Sequence, residues 1–238
     1  MMSESAAGKT QEKRENLVES FFHGTGDTYD KNVHIATWGR DKQWKEELLS
    51  FLDSPQNILD LACGTGILAL EMALRFGGNV TGVELRGEYL DICRERAEKA
   101  GFAERTRWFE GNAEEFLIEE QFDAITSCYI PKYVNLDVLV PNMVKMLAPG
   151  GLFIMQDFSY PEEKWVQNIF DDHFGRMKQL INGDGWDVMW EELPTVLKNT
   201  NWIADTARNM REQGLVDVTI VPQSRGLSSL VYGRKPSA

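Results

Sequence analysis

The sequence predicts one α/β domain built on a doubly wound, mostly parallel sheet. Short apolar runs alternate with amphipathic segments between residues 41 and 156, which is the pattern of parallel strands joined by crossover helices. One apolar run leads into the glycine turn of residues 64–66, and the next ends on Glu84, as in open sheets that bind a nucleoside at their carboxyl edge. The 238 residues, of which 42% are apolar, suffice for one such domain with a full core.

The individual elements follow from the spacing of apolar residues and from cap and stop signals. Asp41 can cap a helix in which Trp44, Leu48 and Leu52 recur every four residues, and Gly101 can end another. We expect a short helical stretch after Ala113, helices at 41–53, 67–76, 88–100 and 137–147, and strands at 58–62, 79–84, 106–110, 122–127 and 152–156.

The regular alternation ends after Pro161. Residues 162–213 have helical spacing and many large apolar side chains, so we expect a helical cap insertion at the carboxyl edge of the strands, where substrates bind. The runs 216–221 and 227–233 predict a hairpin at the edge of the sheet. Residues 1–28 are expected to form a partly disordered N-terminal extension, and residues 29–238 the single domain.

Composition bears on partners and setting. The net charge of −12 opposes phosphate backbones and anionic membrane surfaces, so nucleic acid is not an expected partner, and no apolar run has the length of a membrane span. Cys63, Cys93 and Cys128 form no CxxC pair, which suggests a reduced, cytoplasmic setting. The three histidines lie far apart, so no metal site is expected. A homodimer is left open.

The glycine turn indicates which kind of nucleoside derivative is bound. A pyrophosphate-binding turn needs a third glycine after Gly64 and Gly66, but residues 67–69 are Ile, Leu and Ala. S-adenosylmethionine has no phosphate, and its ammonium and carboxylate can meet the Asp60 carboxylate and backbone N–H groups. Glu84 would accept hydrogen bonds from both ribose hydroxyls. The alternative is an ordinary strand-to-helix turn.

Further segments strengthen this interpretation through a resemblance to a known family. They are Tyr29-Asp30, Trp38-Gly39, Trp44-Lys45, and residues 58–66, 111–113, 122–126, 144–151, 157–161 and 226–235. In these segments the chain resembles the class I S-adenosylmethionine-dependent methyltransferases, and more narrowly the UbiE-like ubiquinone/menaquinone biosynthesis C-methyltransferases. The resemblance implies a Rossmann-like sheet, S-adenosylmethionine as cofactor and S-adenosylhomocysteine as product.

The resemblance also implies roles for single residues. Asp60 and the glycine turn surround the methionine part, Glu84 holds the ribose, and Asn112 with Ala113 lies against the adenine. The family usually has Asp at the position of Asn112, and Asn keeps an acceptor for the adenine amino group. The residues expected at the cofactor are Tyr29, Asp60, Ala62, Cys63, Gly64, Thr65, Gly66, Glu84, Leu85, Asn112, Ala113 and Cys128.

The loop after strand 122–127 departs from the family. The quinone enzymes carry an Arg-Asn pair where this chain has Lys132 and Tyr133, and Arg225 replaces a family glycine. Lysine lacks the planar fork of a guanidinium, so the acceptor differs or its polar head is held in another way. We expect Tyr129 to line the methyl-transfer site and Lys132 to contact a substrate oxygen. Lys132, Tyr129, Tyr133 or a bound water could assist deprotonation of a hydroxyl on the acceptor. The alternative for Lys132 and Tyr133 is a solvated loop.

Helical spacing alone leaves the role of the insertion's apolar side chains open. They could wall a pocket for a prenylated ring or form the insertion's own core. Tyr29 and His34 could close over the cofactor as a lid. The apolar set is Trp165, Phe170, Phe174, Met177, Ile181, Trp186, Met189, Trp190 and Leu193.

The predicted function is S-adenosylmethionine-dependent transfer of a methyl group to a carbon of a small aromatic or quinone-like acceptor, which could be apolar. Such an SN2 transfer depends mainly on alignment of the nucleophile with the methyl carbon. The alternatives are an O- or N-methyltransferase of another small metabolite and a catalytically silent protein that binds S-adenosylmethionine.

Overall fold

The computed structural model describes residues 26–180 and 186–237. Helices and strands alternate over residues 41–110 and again over residues 122–158, and two short 3₁₀ turns occur at Ala103–Arg105 and Ser224–Gly226. In chain order the elements are α1 Gly26–Ala36, α2 Asp41–Ser50, β1 Asn57–Leu61, α3 Ile67–Phe76, β2 Asn79–Glu84, α4 Gly87–Ala100, β3 Thr106–Glu110, β4 Phe122–Cys128, α5 Leu136–Met146, β5 Leu147–Phe158, α6 Lys164–Leu180, α7 Trp186–Asn199, α8 Trp202–Glu212, β6 Val216–Gln223 and β7 Ser228–Arg234.

The strands form one sheet in the order β3-β2-β1-β4-β5-β7-β6. Strands β1 to β5 pair in parallel, while β7 and β6 add antiparallel at one edge. The strand order reverses between β1 and β4, which is the point where ligands bind in such sheets. The register places Asp60 of β1 opposite Gly82 of β2 and Thr126 of β4. The predicted doubly wound sheet with an edge hairpin is confirmed.

Helices cover both faces of the sheet. On one face Leu48 of α2 and Met72 of α3 belong to a buried cluster with Ile154 of β5. On the other face Met143 of α5 and Met210 of α8 belong to a second buried cluster with strand residues. Strands buried on both faces need apolar side chains at successive positions, which explains the continuous apolar runs in the sequence.

The expected insertion at 162–213 comprises helices of two kinds. α6 and α7 pack against each other, whereas α8 packs against α5, β6 and β7. Trp202 and Met210 of α8 are buried in the sheet-facing cluster. By these contacts α8 is a layer of the sheet domain. α6 and α7 pair with each other and pack on Phe158, at the end of β5, and on Tyr129. We call that pair the cap helices.

A few local predictions differ from the structure. The short helix expected after Ala113 is a turn, because the Asn112 side-chain oxygen accepts the Glu114 N–H at 2.9 Å and so competes with helical bonding. Strand β5 begins at Leu147, five residues earlier than expected, since Leu147 pairs with Phe122 ahead of a register shift. Within the described part of the chain, no helix combines the length and apolar character needed to cross a bilayer.

The predicted N-terminal extension, 1–28, overlaps the described chain only in its last residues. Helix α1 begins at Gly26, so positions 26–28 belong to a helix that packs on the domain. Residues 1–25 lie outside the described residues, as do His23 and Ile181.

Candidate active site

Two adjoining cavities lie at the carboxyl ends of β1, β2 and β4. The large cavity has a volume of about 320 Å³ and the small cavity one of about 40 Å³. Five residues line both, so the cavities meet at a common wall: Tyr29, Ala62, Gly64, Cys128 and Tyr129. Because these residues come from α1, the glycine turn and the end of β4, the site lies where the strand order reverses.

The glycine turn is held in place by Glu84. Its Oε2 accepts the Gly64 N–H at 3.0 Å, and its Oε1 accepts the Arg86 N–H at 3.1 Å. Gly64 and Gly66 have φ values of 55° and 81°, in the left-handed region that glycine tolerates. A Cβ on Gly66 would lie 2.9 Å from the Cys93 Sγ, so side chains are excluded there on two grounds. Burial raises the pKa of Glu84, although three backbone N–H groups oppose this shift.

Asp60 is a buried carboxylate with an open acceptor. Its Oδ1 accepts the Thr126 hydroxyl at 2.7 Å, whereas its Oδ2 is buried with no hydrogen-bond partner in the described structure. Burial raises the Asp60 pKa to about 7. A buried carboxylate oxygen without a donor is costly, and this one lies at the small cavity. A cationic N–H donor on a bound molecule would satisfy it.

A second ionic group faces the same small cavity. Asp41, the first residue of α2, accepts the Lys45 ammonium at Oδ2 (2.9 Å) and the Tyr129 hydroxyl at Oδ1 (2.5 Å). Burial acts to lower the Lys45 pKa, but the adjacent Asp41 carboxylate outweighs it and the pKa is raised. Sequence analysis did not select Asp41 or Lys45 as site residues. Their four-residue spacing on a helix indicates an ion pair, but nothing in the sequence connects it to Tyr129, which is 88 positions away from Asp41.

Leu85, Asn112 and Ala113 line the opposite part of the large cavity. Cys63 and Thr65 line the small cavity, and Gly66 stands behind the turn against Cys93. Every residue predicted at the cofactor except Gly66 therefore lines one of the two cavities.

The two loop residues Lys132 and Tyr133 are both buried, so the solvated-loop alternative is wrong. Lys132 Nζ lies 2.6 Å from Asp157 Oδ1 and 2.6 Å from the Tyr129 carbonyl oxygen. It also sits 4.2 Å from the centre of the Tyr133 ring. Lys132 lines neither cavity, and its ammonium is used inside the protein, so this geometry does not support the expected contact with a substrate oxygen. Tyr129 and Tyr133 do line the large cavity.

Helix α1 covers the site. Asp30 accepts the Thr65 hydroxyl at 2.7 Å and the Arg96 guanidinium at 2.6 Å, and the Trp186 indole N–H donates to the Thr28 hydroxyl at 3.0 Å. Tyr29, one of the two residues expected in a lid, lines both cavities. His34, the other, packs against Gly39 instead and is absent from both linings.

The apolar side chains expected in the insertion form a core. Among the described residues of the set, Phe170, Phe174 and Trp190 are fully buried in one cluster that extends to Tyr129, and no member of the set lines either cavity. Trp165 is half exposed, under the guanidinium of Arg225 at 5.4 Å. Arg225 thus lies on the surface and not at the cavities.

Fold and site together define an S-adenosylmethionine-dependent methyltransferase of class I. A family model described as "Methyltransferase domain" matches residues 58–151. The chain is 31% identical over 185 residues to the ubiquinone/menaquinone biosynthesis C-methyltransferase UbiE of Bartonella tribocorum, covering 73% of this chain and 71% of that protein. The chain therefore belongs to the class I methyltransferases of the UbiE family.

Other comparisons agree on the family and on the fold. UbiE of Brucella anthropi is 28% identical over 186 residues, covering 73% of this chain and 71% of that protein. Among solved structures, geranyl diphosphate C-methyltransferase from Streptomyces coelicolor A3(2), in complex with Mg²⁺, geranyl diphosphate and S-adenosylhomocysteine, is similar with a TM-score of 0.62. The identity is 16%, and the match covers 99% of this chain and 100% of that chain. At this identity the likeness concerns the fold alone.

Proposed function

We propose that this enzyme transfers the methyl group of S-adenosylmethionine to a carbon atom of a small aromatic or quinone-like acceptor. The observation that carries the proposal is the pair of joined cavities. One is small and carries charges of both signs, and the other is larger and has four tyrosines together with Val83, Leu85, Ile130 and Val134 in its wall. The first suits an amino-acid zwitterion, and the second suits a nucleoside beside a flat apolar ring.

The charges of the small cavity match the methionine part of the cofactor. The open Oδ2 of Asp60 would accept its ammonium, and Lys45, which lines the same cavity, would attract its carboxylate. Glu84 would accept the ribose hydroxyls, and Asn112 with Ala113 would border the adenine. The residues present thus fit the cofactor, which supplies an activated methyl group on a sulfonium.

The remaining wall of the large cavity suits the acceptor. Tyr129, Ile130, Tyr133 and Val134 belong to one loop that follows β4, and tyrosine faces stack well on flat rings. The relatives in the UbiE family are named as C-methyltransferases, which supports carbon as the methylated atom. Because Lys132 is paired inside the protein, this loop presents no cation to the acceptor, which differs from the Arg-Asn pair of the quinone enzymes.

The chain's contribution to the reaction is positioning and exclusion of water. Tyr29 and helix α1 cover the junction of the cavities, and the hydrogen bonds of Asp30 hold the helix down. Aligned reactants in a closed site gain the advantage of an intramolecular reaction.

Two measurements test the proposal. Calorimetric titration with S-adenosylmethionine should show binding, and absence of binding at millimolar ligand would rule out every methyltransferase reading of the chain. Methyl transfer should then be assayed with a demethylmenaquinone-like hydroquinone and with a catechol, and the product analysed by NMR. A new carbon-bound methyl group supports the proposal, whereas a methoxy product would overturn it in favour of O-methylation.

A further inference from the structure

The Tyr129 hydroxyl joins the wall of the cavities to a buried ion pair. Its oxygen lies 2.5 Å from Asp41 Oδ1, and Asp41 Oδ2 lies 2.9 Å from Lys45 Nζ. Asp41 opens helix α2, where the helix dipole favours a carboxylate. All three residues line the small cavity, and Tyr129 also lines the large one. The Tyr129 side chain therefore connects the large cavity with the Asp41 carboxylate.

The backbone holds Tyr129 in this position against strain. Its φ is 70°, in the left-handed region that bulky residues rarely occupy, and such residues cluster at functional sites. The Tyr129 N–H donates to the Gln156 carbonyl at 2.8 Å, and its own carbonyl accepts the Lys132 ammonium at 2.6 Å. Lys132 is thus a positioning residue for Tyr129.

The protonation of Tyr129 decides what its hydroxyl can do. Burial, followed by the charge of Asp41, raises the Tyr129 pKa well above its ordinary value, so the phenol keeps its proton. That single proton is donated to Asp41, and the remaining lone pairs of the oxygen can only accept. A polar group that meets this oxygen from the cavity must therefore be a donor, and a hydroxyl on the acceptor molecule fits.

We propose that Tyr129 takes the proton of a hydroxyl on the methyl acceptor while its own proton passes to Asp41. The inference rests on the proposed methyl transfer and adds the residues of its proton path. The acceptor O–H bond breaks, and the oxygen electron pair raises the nucleophilicity of the neighbouring carbon. That carbon takes the methyl group and later loses its hydrogen to solvent as a proton. The oxygen then regains a proton from Asp41 through Tyr129, which restores the hydroxyl.

Charge and atoms balance over the turnover. The acceptor exchanges one hydrogen for a methyl group, the sulfonium becomes a neutral thioether, and one proton leaves to solvent. Asp41 is protonated only in passing. Lys45 supplies the counter-charge to Asp41, with its ammonium 2.9 Å from the carboxylate. Tyr29 of α1 and Cys128 of β4 also act on the Tyr129 hydroxyl, and Asp30 and Asp60 line the same small cavity.

The test compares Asp41→Asn and Tyr129→Phe with wild type on two acceptors. Asp41→Asn keeps the shape and a hydrogen bond but removes the proton acceptor. One acceptor is catechol, and the other is 4-nitrocatechol, whose nitro group makes a hydroxyl far more acidic, so that it needs less help to ionise. Tyr160→Phe is the matched control, because Tyr160 also donates to an aspartate, Asp171, at 2.9 Å but on the exposed surface.

With catechol and saturating S-adenosylmethionine, we expect both variants to lose on the order of 100-fold in kcat. With 4-nitrocatechol the loss should shrink to under about tenfold, because ionisation no longer depends on the protein. Tyr160→Phe should match wild type on both.

Three results would overturn the inference. The first is an equal loss on the two acceptors, which would make the Tyr129 and Asp41 contacts structural only. The second is full catechol turnover by Asp41→Asn. The third is a wild-type enzyme that binds S-adenosylmethionine but methylates neither catechol. Cofactor binding would then stand, but a hydroxyl-bearing acceptor would be excluded. Absence of cofactor binding would instead strike at the proposed function itself.

Discussion

The open oxygen of Asp60 predicts that binding of S-adenosylmethionine depends on pH in the neutral range. In the free enzyme burial raises the Asp60 pKa to about 7, so the carboxyl is about half protonated at pH 7 and about nine-tenths protonated at pH 6. An ammonium needs the ionised form as its partner. The apparent dissociation constant should therefore exceed its intrinsic value about twofold at pH 7 and about tenfold at pH 6.

The sign of the stability effect follows from the same shift. The unfolded carboxyl titrates near 3.8 and the folded one near 7, so the folded state holds the proton more tightly. The Asp60 carboxyl contributes up to ~4 kcal/mol to the free energy of unfolding of the free enzyme. This contribution is fully present below about pH 4 and is lost as the pH rises to about 7. A bound ammonium reverses the preference, so the rise in melting temperature caused by S-adenosylmethionine should grow between about pH 6 and about pH 7.5.

The assay is calorimetric titration of wild type, Asp60→Asn and the exposed control Asp53→Asn across that range, below the pH at which the ligand's amino group itself loses its proton. Asp60→Asn should bind roughly 30-fold more weakly at about pH 7.5, which corresponds to ~2 kcal/mol for a charged hydrogen bond, and should show little pH dependence. Asp53→Asn should follow wild type. A wild-type constant that stays level over the range, or an equal slope in Asp60→Asn, would refute the reasoning.

Three further substitutions test the packing around the site. Gly66→Ala should lower the free energy of unfolding by about 1–3 kcal/mol in a urea titration, because its φ of 81° is strained for alanine and the new Cβ would lie 2.9 Å from the Cys93 Sγ. Adding Cys93→Ala should recover part of the lost stability, because it removes the steric contact. No recovery would argue against that contact as a cause of the loss. Lys132→Met should lower the free energy of unfolding by about 3–5 kcal/mol, because it leaves the buried Asp157 charge unpaired. The double variant Lys132→Met/Asp157→Asn should lose less stability. Wild-type stability of Lys132→Met would contradict the prediction. Asp30→Ala should speed hydrogen exchange in helix α1 and raise the dissociation constant of S-adenosylmethionine a few-fold, because two side-chain bonds that hold the helix are removed; unchanged exchange would show that other contacts hold it.

The departure of this chain from the UbiE loop has a structural meaning. A lysine at position 132 is long enough to reach both Asp157 and the Tyr129 carbonyl, so the cation supports the loop from inside. In the proposed reaction, polar contact with the acceptor is made by the Tyr129 hydroxyl.

Sequence by itself determined the sheet and the cofactor edge. The apolar runs, the positions of Gly64 and Gly66 and the glutamate that ends β2 are local patterns, and each local pattern predicts one kind of backbone or one ligand contact. The sequence also predicts the family, because the resemblance rests on the same segments.

Tertiary structure alone decided which side chains meet. Asp41 and Tyr129 are joined by one hydrogen bond across 88 positions. The sequence predicts Lys132 at solvent or at the substrate, whereas in the structure it is buried and paired with Asp157. Helix α8 has the same spacing as the cap helices but packs on the sheet. Periodicity predicts that a side chain is buried but does not identify its packing partner, because that partner comes from a segment distant in sequence.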